Sequence, residues 1–62
     1  MPQISIKAAR VNAGLNQSQA AKALGINKDT LSRYESGKSS PRLEMIEKMS
    51  KIYNIDLIFL KK

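Results

Sequence analysis

Lys28, Asp29, Thr30, Ser32 and Arg33 crowd into six consecutive positions, and each carries a side chain that can hydrogen-bond a base edge or a phosphate. Leu31 and Tyr34, three apart, take the other side, so the segment reads as a helix with one apolar stripe and one polar face. Arg33 has the most specific chemistry. Its planar fork can donate to O6 and N7 of one guanine together. Lys28 can do the same as a point charge, or touch only a phosphate. Thr30 offers a methyl to thymine or a hydroxyl to phosphate. Asp29 can accept from cytosine N4, but an acid in the first turn also favours the positive end of its own helix. That second reading weighs more.

The flanking residues dictate the elements that hold this face. Asn16 can cap a helix over 17–24, with Gln19 answering back three residues later as in a capping box. Ala20, Ala21 and Leu24 give that helix its apolar stripe. Gly25 suits a left-handed terminus, Asn27 can cap the next helix over 28–36, and Gly37 closes it. Two short helices joined by a glycine-containing turn form the arrangement whose second helix enters the DNA major groove. Upstream, Ser5 can cap a first helix over 6–13, with Ile6 and Ala9 inward and Gly14 at its end. Downstream, GKSSPR is loop chemistry before a fourth helix reaching about Tyr53. That helix starts with Ser40 as cap and Pro41 inside it, or with Arg42 as cap. Leu43, Ile46, Met49 and Tyr53 mark its expected buried stripe. Asn54 can end it in the left-handed conformation. The tail IDLIFLKK leaves almost no polar face, which favours a strand over a short fifth helix.

Composition bounds the function. Sixty-two residues make a single domain over 1–62, too short to bury a large core. Residues 1–42 carry seven basic and two acidic side chains, a net +5, whereas residues 43–62 carry a net +1. The positive excess thus lies where the two joined helices lie, and such a face attracts phosphate backbones. The chain has no cysteine and no histidine, and no apolar run long enough to span a membrane. No carboxylate pair, nucleophile–base arrangement or phosphate-binding glycine loop is visible, so no catalytic residue, cofactor or metal is expected. Met45 and Met49 read as packing.

Arg10, the run Gly14-Leu15-Asn16-Gln17, Ala21, Gly25-Ile26, Leu31, Glu35, Gly37-Lys38 and Pro41 occur in an order with a wider meaning. Behind them follow Leu43, Ile46, Met49, Ile52 and Ile55. On these residues the chain resembles the Cro and phage-repressor type of helix-turn-helix proteins, the XRE family, over roughly residues 4–60. It departs from the family pattern at Ala20 (usually leucine), Ser36 (often asparagine) and Ser50 (usually alanine).

The resemblance implies an all-α, lambda-repressor-like bundle of four helices, with the tail as a short strand or, alternatively, a fifth helix. It implies a sequence-specific transcriptional regulator of double-stranded DNA, a repressor, that binds a palindromic operator as a homodimer. Helix three would lie in the major groove, in bacterial or phage-infected host cytoplasm. Gln17 would contact a phosphate and buttress the start of helix three, a reading that outweighs the plain alternative of a second helix cap. Ser36, Lys38, Ser39 and Arg42 would contact the other phosphate strand. Arg10 and Glu35 would pair across the core. The apolar tail residues Ile55, Leu57, Ile58, Phe59 and Leu60 are expected at the dimer interface, strand to strand. The alternative is an antitoxin-type DNA-binding protein whose main partner is a toxin.

Overall fold

Capping chemistry sets the helix boundaries. The computed structural model describes residues 4–56 and 60–61. Four helices, α1 (Ile6–Asn12), α2 (Gln17–Leu24), α3 (Lys28–Ser36) and α4 (Leu43–Ile52), lie between two short strands, β1 (Ile4–Ser5) and β2 (Leu60–Lys61). The Ser5 hydroxyl accepts from the Ala8 N–H at 3.0 Å and starts α1. At α2 the box is complete: the Gln19 N–H donates to Asn16 Oδ1 at 2.7 Å, and the Asn16 N–H donates to Gln19 Oε1 at 3.0 Å. Two of the four N–H groups left open at a helix start are satisfied within the pair's own side chains. Gly25 ends α2 at φ 74°, where a side chain would strain the backbone. The Ile26 N–H then donates back to the Ala21 carbonyl at 2.9 Å, fixing the turn into α3.

The helices bury one face each. Ile6 and Ala9 of α1, Ala20, Ala21 and Leu24 of α2, Leu31 of α3, and Ile46 and Met49 of α4 form the core with Tyr53. α2 packs on both α3 and α4, while α1 packs on α3. Alanines at three core positions bring helix backbones close, which suits a domain with little volume to fill.

The structure decides several expectations, some of them against the sequence reading. α1 ends at Asn12, with Ala13 as its cap, rather than at residue 13. α4 takes the Arg42 cap and begins at Leu43, and no side-chain hydrogen bond closes its start. Leu43 does not belong to the buried stripe: it is 57% exposed. Pro41, two residues earlier, is buried instead, so the chain meets the core just before the helix begins. Asn27 occupies the cap position of α3, but its side chain makes no cap bond. Asn54 does adopt the left-handed conformation, at φ 53°. Ser50, the residue that departs from the family's alanine, donates its hydroxyl to the Ile55 carbonyl and closes the end of α4.

The tail is a strand where it is described, at Leu60–Lys61, but its partner was not foreseen. β2 pairs in parallel with β1 of the same chain, Ile4 opposite Leu60 and Ser5 opposite Lys61. Lys61 thus sits inside this ladder. Ile55, expected at a dimer interface, is half-buried against the chain's own core. Leu57, Ile58 and Phe59 lie outside the described residues, as does the side chain of Leu60.

Tyr53 introduces one polar atom into this core. Its hydroxyl is buried and has no hydrogen-bond partner among the described residues. Burial, reinforced by the Glu35 carboxylate and opposed by the Arg10 guanidinium, pushes the hydroxyl up to about 12. The fold therefore favours the neutral phenol. That contribution is complete below the unfolded-state value of about 10 and is lost as pH rises through about 12. Tyr53→Phe should match or slightly exceed the wild-type melting temperature at pH 7, because it removes an unpaired buried group. Between pH 10 and 12 it should lose less stability than the wild type. Equal losses in paired melts at pH 7 and pH 11 would show that another group governs alkaline unfolding.

Candidate nucleic-acid interface

The polar face of α3 stands outward. Lys28, Asp29, Ser32 and Arg33 are exposed, Thr30 is half-buried, and Leu31 is fully buried. Tyr34 is half-buried against the core and so contributes packing rather than a free ring. The helical period explains the division: residues 28, 29, 32 and 33 share one side, while 31 and 34 share the other. Gly37, at φ 83°, turns the chain after α3. The Lys38 and Ser39 N–H groups fold back onto the Arg33 carbonyl at 3.0 and 3.3 Å. This closure fixes the loop directly after the outward face. The Ser36 hydroxyl is drawn into the same end, donating to the Arg33 carbonyl at 3.2 Å.

An ion pair beneath this face ties three elements together. Arg10 Nε donates to Glu35 Oε2 at 2.7 Å, and Arg10 Nη2 donates to Oε1 at 3.3 Å. The two side chains are only 9% and 4% exposed. Arg10 Nη1 also donates to the Leu15 carbonyl at 2.8 Å, anchoring the loop that leads into α2. Gln17 Nε2 donates to Glu35 Oε1 at 3.0 Å. Two-toothed arginine–carboxylate pairing resists rotation as well as separation. The start of α2 and the end of α3 are thereby pinned to the same carboxylate.

α3 borders two basic clefts. On its α2 side, Lys28 shares a cleft of about 480 Å³ with Lys7, Arg10, Asn16, Gln17 and Ser18. On its α4 side, Thr30, Arg33 and Tyr34 share a cleft of about 510 Å³ with Ser39, Ser40, Arg42, Glu44, Met45 and Lys48. Sequence-based residues thus come together in two sets: Gln17 with Lys28, and Thr30 with Arg33, Ser39 and Arg42. Lys38 is exposed in the loop but lines neither cleft, and Ser36 lines a separate smaller one with Ser5 and Glu35. Lys7 and Lys48 were missed. They sit on α1 and α4, far in sequence from the helix-turn-helix; Lys7 falls in the basic stretch 1–42, whereas Lys48 lies in the nearly balanced stretch 43–62 and had no charge signal.

The sequence is similar to known proteins. The helix-turn-helix family model matches residues 6–60. The chain is 40% identical over 52 residues to the cryptic phage CTXphi transcriptional repressor RstR of Vibrio cholerae, covering 84% of this chain and 47% of that protein. It is 36% identical over 55 residues to the transcriptional regulator ImmR of Bacillus subtilis, covering 89% of this chain and 43% of that one. A third similar protein is the SPbeta prophage-derived uncharacterized regulator YonR of Bacillus subtilis, 35% identical over 57 residues, covering 92% of this chain and 53% of that one. The chain thus spans about half the length of the curated relatives it matches. No solved structure matches it significantly.

Arg10→Met should cost about 3–5 kcal/mol of stability, because Glu35 would keep a buried charge with no cation beside it. A domain this small holds little more than that in total, so thermal melting should show a large drop or outright unfolding. A variant that melts like the wild type but no longer binds nucleic acid would make Arg10 a ligand instead.

Proposed function

The chain belongs to the helix-turn-helix family, of the Cro and phage-repressor (XRE) type, and from that premise we propose that it is a sequence-specific regulator of transcription acting on double-stranded DNA. The observation that carries this reading is the outward face of α3 set between two basic clefts. A helix flanked by cations fits a groove flanked by phosphates. Arg33 reads a guanine edge, with Lys28, Asp29, Thr30 and Ser32 supplying further contacts in the major groove. Gln17, Lys38, Ser39 and Arg42 contact phosphates, and so set register without reading sequence. Lys7 and Lys48 extend the phosphate contacts from the two clefts. Ser36 contributes through its backbone position, since its hydroxyl is turned onto Arg33.

The role of RstR as a transcriptional repressor favours repression for this chain as well. The regulator acts as a homodimer joined through the apolar tail, with Ile55, Leu57, Ile58, Phe59 and Leu60 as interface residues. One edge of β2 is taken by β1, so strand pairing between copies would use the other edge. Two heads joined in this way would read half-sites about 34 Å apart.

Selection from a random duplex pool tests the whole reading. It should return a two-fold symmetric site with half-site centres about 10 base pairs apart. Binding to that site should fall steeply with salt, with a log–log slope of about −5 to −9 if each protomer neutralises about three to five phosphates. Lys7→Ala and Lys48→Ala should each flatten the slope by about one contact per protomer. A slope near zero, or a pool with no enriched site, would remove DNA as the main partner.

Arg33→Ala and Gln17→Ala should fail in different ways. Loss of a two-toothed arginine should cost about 1–3 kcal/mol and relax preference at one base position. Loss of Gln17 should weaken every duplex by a similar factor. Binding of both variants to the selected site and to its single-base substitutions separates the two roles, and identical behaviour would refute the assignment.

A further inference from the structure

We infer that Glu35 is a positioning residue for DNA binding, acting through Gln17. The inference rests on the proposed reading of Gln17 as a phosphate contact. A glutamine amide carries two N–H donors on one nitrogen. In the structure one of them goes to Glu35 Oε1, at 3.0 Å. Glu35 is the amide's hydrogen-bond partner among the described residues, so the second N–H is left to donate into the cleft lined by Lys7, Asn16, Ser18 and Lys28. A carboxylate can only accept, so this bond also settles which way the amide faces: nitrogen toward Glu35. Were the amide turned over, its oxygen would meet both the carboxylate and any approaching phosphate, and both meetings are repulsive.

The carboxylate is itself immobilised. Arg10 grips both its oxygens, at 2.7 and 3.3 Å, and the side chain is 4% exposed. Glu35 belongs to α3 and Gln17 to α2, eighteen residues apart. The bond therefore measures the phosphate contact against the helix that reads bases. A free glutamine at a helix start would sample several rotamers and lose their entropy on binding. Here that ordering is already complete in the unbound protein, which is the general route by which preorganisation raises affinity.

A merely structural Glu35 would support the fold and leave the Gln17 contact untouched, and a binding cycle tells the two apart. Gln17→Ala is compared in the wild type and in an Arg10→Met/Glu35→Leu background, where the pair is replaced by apolar groups, a change buried ion pairs often tolerate. Binding is measured to the selected duplex and to its single-base variants. In the wild type, Gln17→Ala should weaken all duplexes about tenfold for each protomer bound, the value of one charge-assisted hydrogen bond. In the apolar background the same substitution should cost less than about twofold. An Arg10→Met/Glu35→Gln background, which leaves no buried charge unpaired and whose amide oxygen can still accept from Gln17, should restore most of the tenfold sensitivity. A tenfold loss in every background overturns the positioning role and leaves Gln17 as a phosphate contact. No loss even in the wild type overturns the Gln17 reading and this inference with it.

Should the apolar background fail to fold, side-chain amide NMR of the wild-type protein decides. One Gln17 Nε2 proton should be shifted and slow to exchange in the free protein, and should stay so when duplex is added. The other proton should move on binding. Movement of both, as Gln17 leaves Glu35 for the DNA, would overturn the inference.

Discussion

A buried charge pair imposes the main constraint on this small domain. Arg10 and Glu35 are almost wholly removed from water, and neither can be left alone there without a large penalty. Each therefore fixes where the other must be. Arg10 comes from α1 and Glu35 from the end of α3, so the pair sets the spacing between the first and third helices. The remaining donors extend that geometry: one arginine nitrogen holds the Leu15 carbonyl, and the carboxylate holds Gln17. Hydrophobic packing of Leu24, Leu31, Ile46 and Met49 supplies the driving force but is tolerant of small shifts. The directional bonds narrow those shifts, and they do so between the elements on whose relative placement the proposed reading of a groove depends.

Charge is partitioned with the same economy. The acidic residues of α4, Glu44 and Glu47, each stand four positions before a lysine, Lys48 and Lys51, a spacing that balances a helix face. The helices before it carry cations with few acids to match, and one of those acids, Glu35, is consumed inside the fold. The positive field is thus concentrated around α3 rather than spread over the surface. Lys48 is the exception: it shares a cleft with Arg33 and Arg42, although Glu44 lines that cleft as well.

The sequence was most legible where structure is decided within a few residues. The Asn16–Gln19 box and the glycine at position 25 act over one turn, and the bounds of α2 followed from them directly. The inward and outward faces of α3 followed from period alone. Leu43 was misread because its spacing to Ile46 fits a buried stripe, while whether a first turn reaches the core depends on how the preceding loop enters, here through Pro41. β1 was invisible, since two residues of ladder leave no periodic signature and their partner lies at the other end of the chain. The pairing of Arg10 with Glu35 came from family resemblance, and no local rule would have found it. The hold of Glu35 on Gln17 and the presence of Lys7 and Lys48 beside α3 are products of packing between distant segments, which periodicity does not encode.

The ladder between β1 and β2 has a consequence for the order in which the chain folds. Bringing Ile4 opposite Leu60 closes a loop of nearly the whole polypeptide, a larger entropy loss than any helix–helix contact among the described residues. Two residues of strand return few hydrogen bonds for it. The contacts among α1, α2 and α3 close much shorter loops and are formed at far less entropic cost. Loop-closure entropy alone thus favours forming the helix contacts before the two ends are joined. Opening the ladder gives up few hydrogen bonds and leaves the contacts among the helices in place.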